Sequence, residues 1–153
     1  RAAGRRARRL EKAEAAGDPP RLMRLGLSFG GFDMGLVKFL SGLMAVTGIE
    51  RVAVTDGIEG AFLADRTGLH FGPSLPVEVM GTAGAGDAFT ATLSLMLASG
   101  AEPAEALKAA AINSAAVVTR SDTTEGLLDR AALDSRVAGH SGDLPVQFRA
   151  WAE

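Results

Sequence analysis

The chain has 153 residues, 47% of them hydrophobic, which is enough for one globular domain with an apolar core. It has no cysteine, which excludes disulfides and thiolate metal sites and makes the cytoplasm the expected location. The net charge of −2 gives no indication of nucleic-acid binding, and no segment approaches the roughly 20 consecutive apolar residues of a membrane span.

The positive charge is concentrated at the N-terminus. Residues 1–24 carry eight Lys and Arg against three acidic residues, whereas the rest of the chain carries eight against fifteen. We predict a basic arm here, helical or disordered. Such an arm can tether the chain to nucleic acid or anionic lipid, or it can be an ordinary solvated segment. Because no aromatic residue interrupts its arginines, nucleic acid is not the expected partner.

Residues 25–140 are predicted to form an α/β domain. Residues 25–29 have the composition of a short buried strand, and residues 34–46 that of a helix. The apolar residues of this helix recur every three or four positions, which predicts one buried face: Leu36, Leu40, Leu43 and Val46. Strands are expected next at residues 52–55, 61–64, 69–71 and 77–79, separated by turns, which describes a β meander.

Two helices are predicted after the meander. Residues 81–86 form a glycine-rich loop, and we expect Asp87 to open a helix that Gly100 ends. Pro103 suits the first turn of the second helix, which runs to about Val118. Residues 141–153 are predicted to form a C-terminal tail.

The glycine-rich loop has the properties of an anion site. Glycines let the backbone approach a ligand closely, and a helix that begins here directs unpaired N–H groups and the positive end of its dipole at that ligand. The loop is not a P-loop, because Asp87 occupies the position of the lysine. It is not a dinucleotide fingerprint either, because Phe89 replaces the last glycine.

Asp87 calls for an explanation, because a carboxylate repels phosphate. It can act as a general base that takes the proton of an acceptor hydroxyl while backbone N–H groups stabilise the charge on the transferred phosphoryl group. It can instead be the N-cap of the helix. The spacing alone leaves both interpretations open.

This loop resembles the second signature of the PfkB/ribokinase family of sugar and nucleoside kinases, whose core reads D-T-x-G-A-G-D. Five residues match in register: Thr82, Gly84, Ala85, Gly86 and Asp87. The resemblance implies that Gly84, Ala85 and Gly86 form an anion hole and that Asp87 is the catalytic base. It extends from about Glu50 to Leu128 and implies part of a ribokinase-like three-layer α/β fold.

Two flanking segments are similar to the same family in order and spacing. Residues 54–60 read V-T-D-G-I-E-G, similar to the family's V-T-x-G-x-x-G turn, which implies that Thr55, Gly57 and Gly60 line the nucleotide. Asn113, the only asparagine of the chain, lies where the family has an asparagine near the nucleotide. The alternatives are a simple hairpin and an asparagine that is exposed or bonded locally.

The resemblance also has departures. Gly81 stands where the family usually has an aspartate that helps to bind a monovalent cation, which argues against potassium dependence. Residues 25–50 contain no asparagine, so the family's N-x-x-E element, which helps to place magnesium, is absent there. The family's first glycine-pair signature is not found, since the surroundings of Gly30 and Gly31 do not match it.

The resemblance implies ATP-dependent phosphoryl transfer to a hydroxyl of a sugar, sugar acid or nucleoside, with ATP and Mg²⁺ as cofactors and no metal held by the protein alone. The alternative hypothesis is a non-catalytic nucleotide-binding or interaction module derived from such a kinase. The expected partner is a small-molecule substrate rather than a membrane, and the sequence leaves a homo-oligomer open.

Overall fold

The computed structural model describes residues 27–29, 32–140 and 142–151. The predicted basic arm at residues 1–24 therefore lies outside the described residues. The chain divides into two compact units, residues 1–50 and residues 51–153. Among the described residues, no helix is long and apolar enough to cross a membrane.

The first unit contains a short hairpin and a helix. Strands β1 (Leu27–Phe29) and β2 (Phe32–Met34) pair antiparallel, and helix α1 (Leu36–Thr47) follows directly. Gly48 ends α1 in a left-handed conformation and donates its N–H to the Met44 carbonyl, as expected for a helix C-terminus. The predicted apolar face is correct at Leu36 and Leu40, which are buried. It is wrong at Val46, which is 78% exposed, because Val46 lies in the last turn of the helix.

The second unit is built on a four-stranded antiparallel sheet in the order β3-β4-β5-β6. Strands β3 (Val52–Thr55), β4 (Ala61–Ala64) and β5 (Gly68–Gly72) confirm the predicted meander. The fourth predicted strand, at residues 77–79, is wrong. Residues 73–79 form no regular structure, because two prolines in this segment cannot donate to a β ladder.

The fourth strand of the sheet comes from the C-terminus instead. Strand β6 (Gln147–Ala150) pairs antiparallel with β5, so the residues expected to form a tail include the edge strand of the sheet. All four residues of β6 are exposed, which explains why their apolar pattern is too weak to read from the sequence. Trp151 fastens this strand by donating its indole N–H to the Asp65 carbonyl at 2.7 Å.

Two helices pack together and against the sheet. They are α2 (Ala85–Ala98) and α3 (Pro103–Val118), and α3 contacts both β4 and β5. The core between helices and sheet contains Ala61, Leu63, Phe89, Leu93, Ala106, Leu107 and Ala110. The small alanine side chains of α3 let its backbone approach α2 and the sheet closely. Pro103 at the first helical position matches the prediction for this helix.

Helix α4 (Arg130–Gly139) has no counterpart in the sequence prediction. It packs on α3 through a second cluster that joins Leu133 to Ala109 and Ile112. Asp129 is its N-cap and accepts a hydrogen bond from the Ala132 N–H at 2.8 Å. With Leu133 as its one buried residue, the helix has too narrow an apolar stripe for its periodicity to identify it.

The turn between β4 and β5 is held by a carboxylate. One oxygen of Asp65 accepts hydrogen bonds from the Thr67 N–H (2.7 Å), the Thr67 hydroxyl (2.6 Å) and the Gly68 N–H (3.1 Å). Its other oxygen lies 3.3 Å from Nε2 of His70. Burial raises the pKa of Asp65, but the hydrogen bonds from Thr67 and Gly68 and the nearby His70 outweigh burial and hold this pKa below its usual value.

We expect this carboxylate to make the stability of the second unit sensitive to acid. Because its folded pKa is depressed, Asp65 stabilises the fold above its unfolded pKa of about 3.9, and this contribution is lost as the pH falls through the folded pKa. Asp65→Asn keeps the shape and one acceptor oxygen but loses the charge. Its melting temperature should therefore be lower than that of the wild type at pH 7, and the difference should shrink at pH 3.

The exposed Asp143 offers a matched control, since Asp143→Asn also removes one carboxylate from the same unit. Its melting temperature should follow that of the wild type at both pH values. A difference between wild type and Asp65→Asn that is the same at pH 7 and pH 3 would show that ionisation of Asp65 does not contribute.

Candidate functional site

The glycine-rich loop ends in the first turn of α2. Gly84 is the N-cap, with a φ of 80°, and the helix begins at Ala85, two residues before the predicted start. The Ala88 N–H closes the first helical turn on the Gly84 carbonyl at 2.9 Å. The prediction placed the start at Asp87, directly after the glycine-rich loop, whereas the chain enters this helix through a left-handed glycine.

The first turn of α2 presents free backbone donors. The Gly86 and Asp87 N–H groups have no acceptor among the described residues, and the Ala85 N–H makes only a long contact, 3.4 Å, with the Thr82 carbonyl. Since no side chain caps this terminus, its partial positive charge is available to a ligand. This arrangement fits a phosphate group, and it agrees with the predicted anion hole.

Gly84 and Gly86 differ in what requires them to be glycine. A Cβ at Gly84 would lie 2.7 Å from the Thr123 carbonyl oxygen, so neighbouring backbone and a positive φ both demand glycine. A Cβ at Gly86 would meet no atom within 4 Å, and its φ is not in the left-handed range. The protein itself therefore gives no packing reason for glycine at position 86, and the open space beside it is available to a ligand.

The entrance to the loop is fixed to the end of α3. The Met80 and Gly81 N–H groups donate to the Val118 carbonyl at 2.8 and 3.3 Å. A Cβ at Gly81, the position that departs from the family signature, would lie 3.3 Å from the Arg120 carbonyl oxygen. At the other end of the loop, the Ser114 hydroxyl of α3 donates to the Ala85 carbonyl at 3.0 Å. These hydrogen bonds attach both ends of the loop to α3.

Asp87 occupies the third position of α2 and is exposed. It is not the N-cap, because Gly84 is, so that alternative is wrong. Among the described residues its carboxylate has no hydrogen-bond or ion-pair partner, and the group stands next to the free N–H of Gly86. A carboxylate at this position interacts favourably with the positive end of the helix dipole. It is also accessible to a substrate hydroxyl. Its catalytic role stays a prediction.

The turn after β3 is shaped by its last glycine. Gly60 is buried with a φ of 120°, and a Cβ there would collide with the Gly72 carbonyl oxygen. Gly60 is thus required by the fold, whatever the turn binds. Thr55 and Gly57 are exposed, and Gly57 has a φ of 57° with open space at its Cβ position. Their place beside a nucleotide stays a prediction.

The Asn113 side chain is buried and bonded at both ends of its amide. It is 6% exposed, its Nδ2 donates to the Thr92 hydroxyl oxygen at 2.8 Å, and its Oδ1 accepts from the Leu128 N–H at 3.0 Å. Both ends of the amide are thus used within the protein. A direct contact with a nucleotide stays a prediction, but the observed bonds indicate a positioning role.

Two contributors to this site were not predicted as such: Thr92 and Ser114. The available signal was the single asparagine within an alanine-rich helix, because a buried amide requires polar partners on neighbouring elements. In the described part of the chain, no group of three or more His, Cys, Asp and Glu side chains is arranged to hold a metal ion.

Comparison with known proteins gives matches to the family whose second signature the glycine-rich loop resembles. Residues 38–130 match the pfkB family of carbohydrate kinases. The curated protein named Bifunctional protein HldE from Rhodopseudomonas palustris (strain TIE-1) is 34% identical over 120 residues, which covers 71% of this chain and 24% of that protein. The chain thus spans about a quarter of the length of the curated relatives that it matches.

Solved structures share the fold. An E. coli protein described as a ribokinase II, in complex with ATP and Mg²⁺, superposes with a TM-score of 0.61 at 27% identity, over 66% of this chain and 32% of that one. A nucleoside kinase from Burkholderia thailandensis in complex with inosine superposes with a TM-score of 0.57 at 26% identity, over 63% and 33%. The predicted ribokinase-like α/β fold, present here as a partial domain, is confirmed.

Proposed function

Because the chain belongs to the pfkB family of carbohydrate kinases, we propose that it carries the nucleotide-binding and phosphoryl-transfer part of an ATP-dependent kinase. One observation carries this proposal: no side chain caps the N-terminus of α2, so the N–H groups of Gly86 and Asp87 have no acceptor among the described residues, and the Cβ position of Gly86 faces open space. A helix terminus of this kind binds phosphate, and Asp87 adds an unpaired carboxylate at the same place.

Each residue of the proposed site has its own role in binding or catalysis. Gly84 sets the bend, and the N–H groups of Ala85, Gly86 and Asp87 donate to the transferring phosphate, where they stabilise negative charge without reorganising. The Asp87 carboxylate accepts the proton of the acceptor hydroxyl as that oxygen attacks the γ-phosphorus of ATP, the bond from this phosphorus to the bridging oxygen breaks, and ADP leaves. Thr55 and Gly57 complete the nucleotide side of the site, and Asn113, whose amide is bonded within the protein, supports it from α3. Bound Mg²⁺ would neutralise part of the phosphate charge.

The acceptor is proposed to be a hydroxyl of a sugar, sugar acid or nucleoside. The names of similar structures support this class, since one is a ribokinase II and another is a nucleoside kinase in complex with inosine. These acceptors all present an alcohol group, which is the group that a carboxylate base can activate.

A panel of acceptors tests the proposal. ADP release is measured with Mg²⁺ and ATP over sugars, sugar acids and nucleosides, using the intact natural protein that contains this chain. We expect acceptor-dependent release with at least one of them, and loss of release when Mg²⁺ is removed with EDTA. Release that is equal with and without every acceptor would contradict the proposed phosphoryl transfer.

A second candidate function is a nucleotide-binding or interaction module without catalysis. It is favoured by the absence of asparagine from residues 25–50, which removes the N-x-x-E element that helps to place magnesium in the family. This candidate predicts that ATP binds, as measured by calorimetry, without turnover for any acceptor. Detection of one phosphorylated product excludes it.

A further inference from the structure

A buried polar pair joins α2 to α3 beneath the glycine-rich loop. Thr92 and Asn113 are each 6% exposed, and among the described residues they are the only buried polar or charged side chains. An amide buried without partners is costly, so its orientation is determined by its neighbours. The Leu128 N–H can only donate and must face Oδ1, which leaves Nδ2 to donate to the Thr92 hydroxyl.

Asn113 thereby attaches the loop between α3 and α4, residues 119–129, to both helices. This loop also has internal hydrogen bonds of its own. Asp122 accepts hydrogen bonds from the Thr124 N–H (2.7 Å), the Thr124 hydroxyl (2.8 Å) and the Glu125 N–H (3.0 Å). Gly126 is buried against the backbone of Ala116, where a Cβ would collide with the carbonyl oxygen. The loop is thus held at Asp122 and Gly126 as well as at Leu128.

The same loop supports the anion hole. The Thr123 carbonyl oxygen and side chain pack against Gly84, the residue whose bend exposes the first turn of α2. Two hydrogen bonds thus connect Thr92 through Asn113 to Leu128, and the loop backbone leads from Leu128 to Thr123, which packs against Gly84. The two ends of this connection belong to the same helix, with Thr92 in the middle of α2 and Gly84 at its N-cap.

We propose that Thr92 is a positioning residue for the phosphoryl transfer proposed above, on which this inference rests. Through Asn113 its hydroxyl oxygen holds residues 119–129 against Gly84, and the loop in turn holds the N–H groups of Gly86 and Asp87 in the direction of the phosphates. Thr92 touches no substrate in this arrangement. Its effect is on geometry, to which phosphoryl-transfer sites are sensitive.

Thr92→Val tests this directly, since it keeps the shape of the side chain but removes the acceptor for Asn113. We expect faster amide hydrogen exchange at Leu128 and in residues 84–87, and a fall of about tenfold in kcat/KM for ATP. Thr92→Ser keeps the hydroxyl, so its amide exchange and its kcat/KM for ATP should both be close to those of the wild type. Thr90→Val makes the same replacement at an exposed position of the same helix and should leave both unchanged.

The alternative is that Thr92 only stabilises the core. A lower melting temperature with unchanged kcat/KM for ATP in the folded protein would then be seen, and it would overturn the proposal. So would faster exchange confined to Leu128 with normal exchange in residues 84–87.

A measurement on the unchanged protein covers the case in which Thr92→Val does not fold. Linkage between two sites is reciprocal, so binding of a non-hydrolysable ATP analogue should slow exchange of the Leu128 amide as well as residues 84–87. Analogue binding that leaves Leu128 unaffected overturns the positioning role and leaves the proposed function standing. Absence of any analogue binding overturns the proposed function instead.

Discussion

Asp87→Asn is expected to lower kcat by roughly 10²-fold or more and to leave ATP affinity within about twofold of the wild type. Asparagine has nearly the same shape as aspartate, but it cannot accept the proton of the acceptor hydroxyl. The exposed position of Asp87, with no partner among the described residues, means that the replacement breaks no interaction of the fold except a favourable charge at the helix N-terminus. That charge contributes about 0.3–1 kcal/mol.

The measurement is steady-state ADP release with the best acceptor of the panel, beside calorimetric titration with ATP and Mg²⁺. Asp143→Asn serves as the control, because it removes an exposed carboxylate elsewhere in the same unit. Equal turnover in wild type and Asp87→Asn would remove Asp87 from the mechanism. Loss of both turnover and ATP binding would assign it to nucleotide binding instead.

Gly86→Ala is expected to raise the free energy of unfolding and to lower the affinity for ATP. Alanine is the better helix former, and its Cβ meets no protein atom within 4 Å, so the free energy of unfolding should rise by about 0.5–1 kcal/mol. The same methyl group would occupy the space proposed for the phosphates. Such overpacking costs about 1–3 kcal/mol, which lowers ATP affinity by roughly 5- to 150-fold. Denaturant unfolding and calorimetry measure the two effects.

Gly139→Ala is the matched control for this variant. Gly139 is also an exposed helical glycine with open space at its Cβ position, and it lies at the end of α4. It should gain stability without losing ATP affinity. Unchanged ATP affinity in Gly86→Ala would show that no phosphate approaches this glycine.

Gly84→Ala should behave in the opposite way and lose stability. Its φ of 80° and the Thr123 carbonyl oxygen 2.7 Å from the Cβ position both oppose a side chain. A strained residue of this kind costs about 1–3 kcal/mol, so the melting temperature should fall together with ATP affinity. A variant that melts like the wild type would mean that the loop can rearrange around Thr123.

The sequence by itself determined the elements whose signal is local. Strands at residues 52–55 and 61–64 and the helix Pro103–Val118 were predicted with their observed bounds, because the glycine-bounded turn between the strands and a proline at the first helical turn depend only on neighbouring residues. A helix N-terminus after the glycine-rich loop was also predicted, and its use as an anion site stays a prediction. The resemblance to the family's second signature is carried by residues of the same loop.

Only the tertiary structure decided what depends on residues distant in sequence. The exposed strand β6 joins the sheet through pairing with β5, some 80 positions earlier, and no local pattern contains that partner. Asn113 was predicted beside the nucleotide, yet its two hydrogen bonds go to Thr92 and Leu128, on separate elements that fold against it. A side chain's chemistry is readable from the sequence, but the partners that use that chemistry are brought to it by packing.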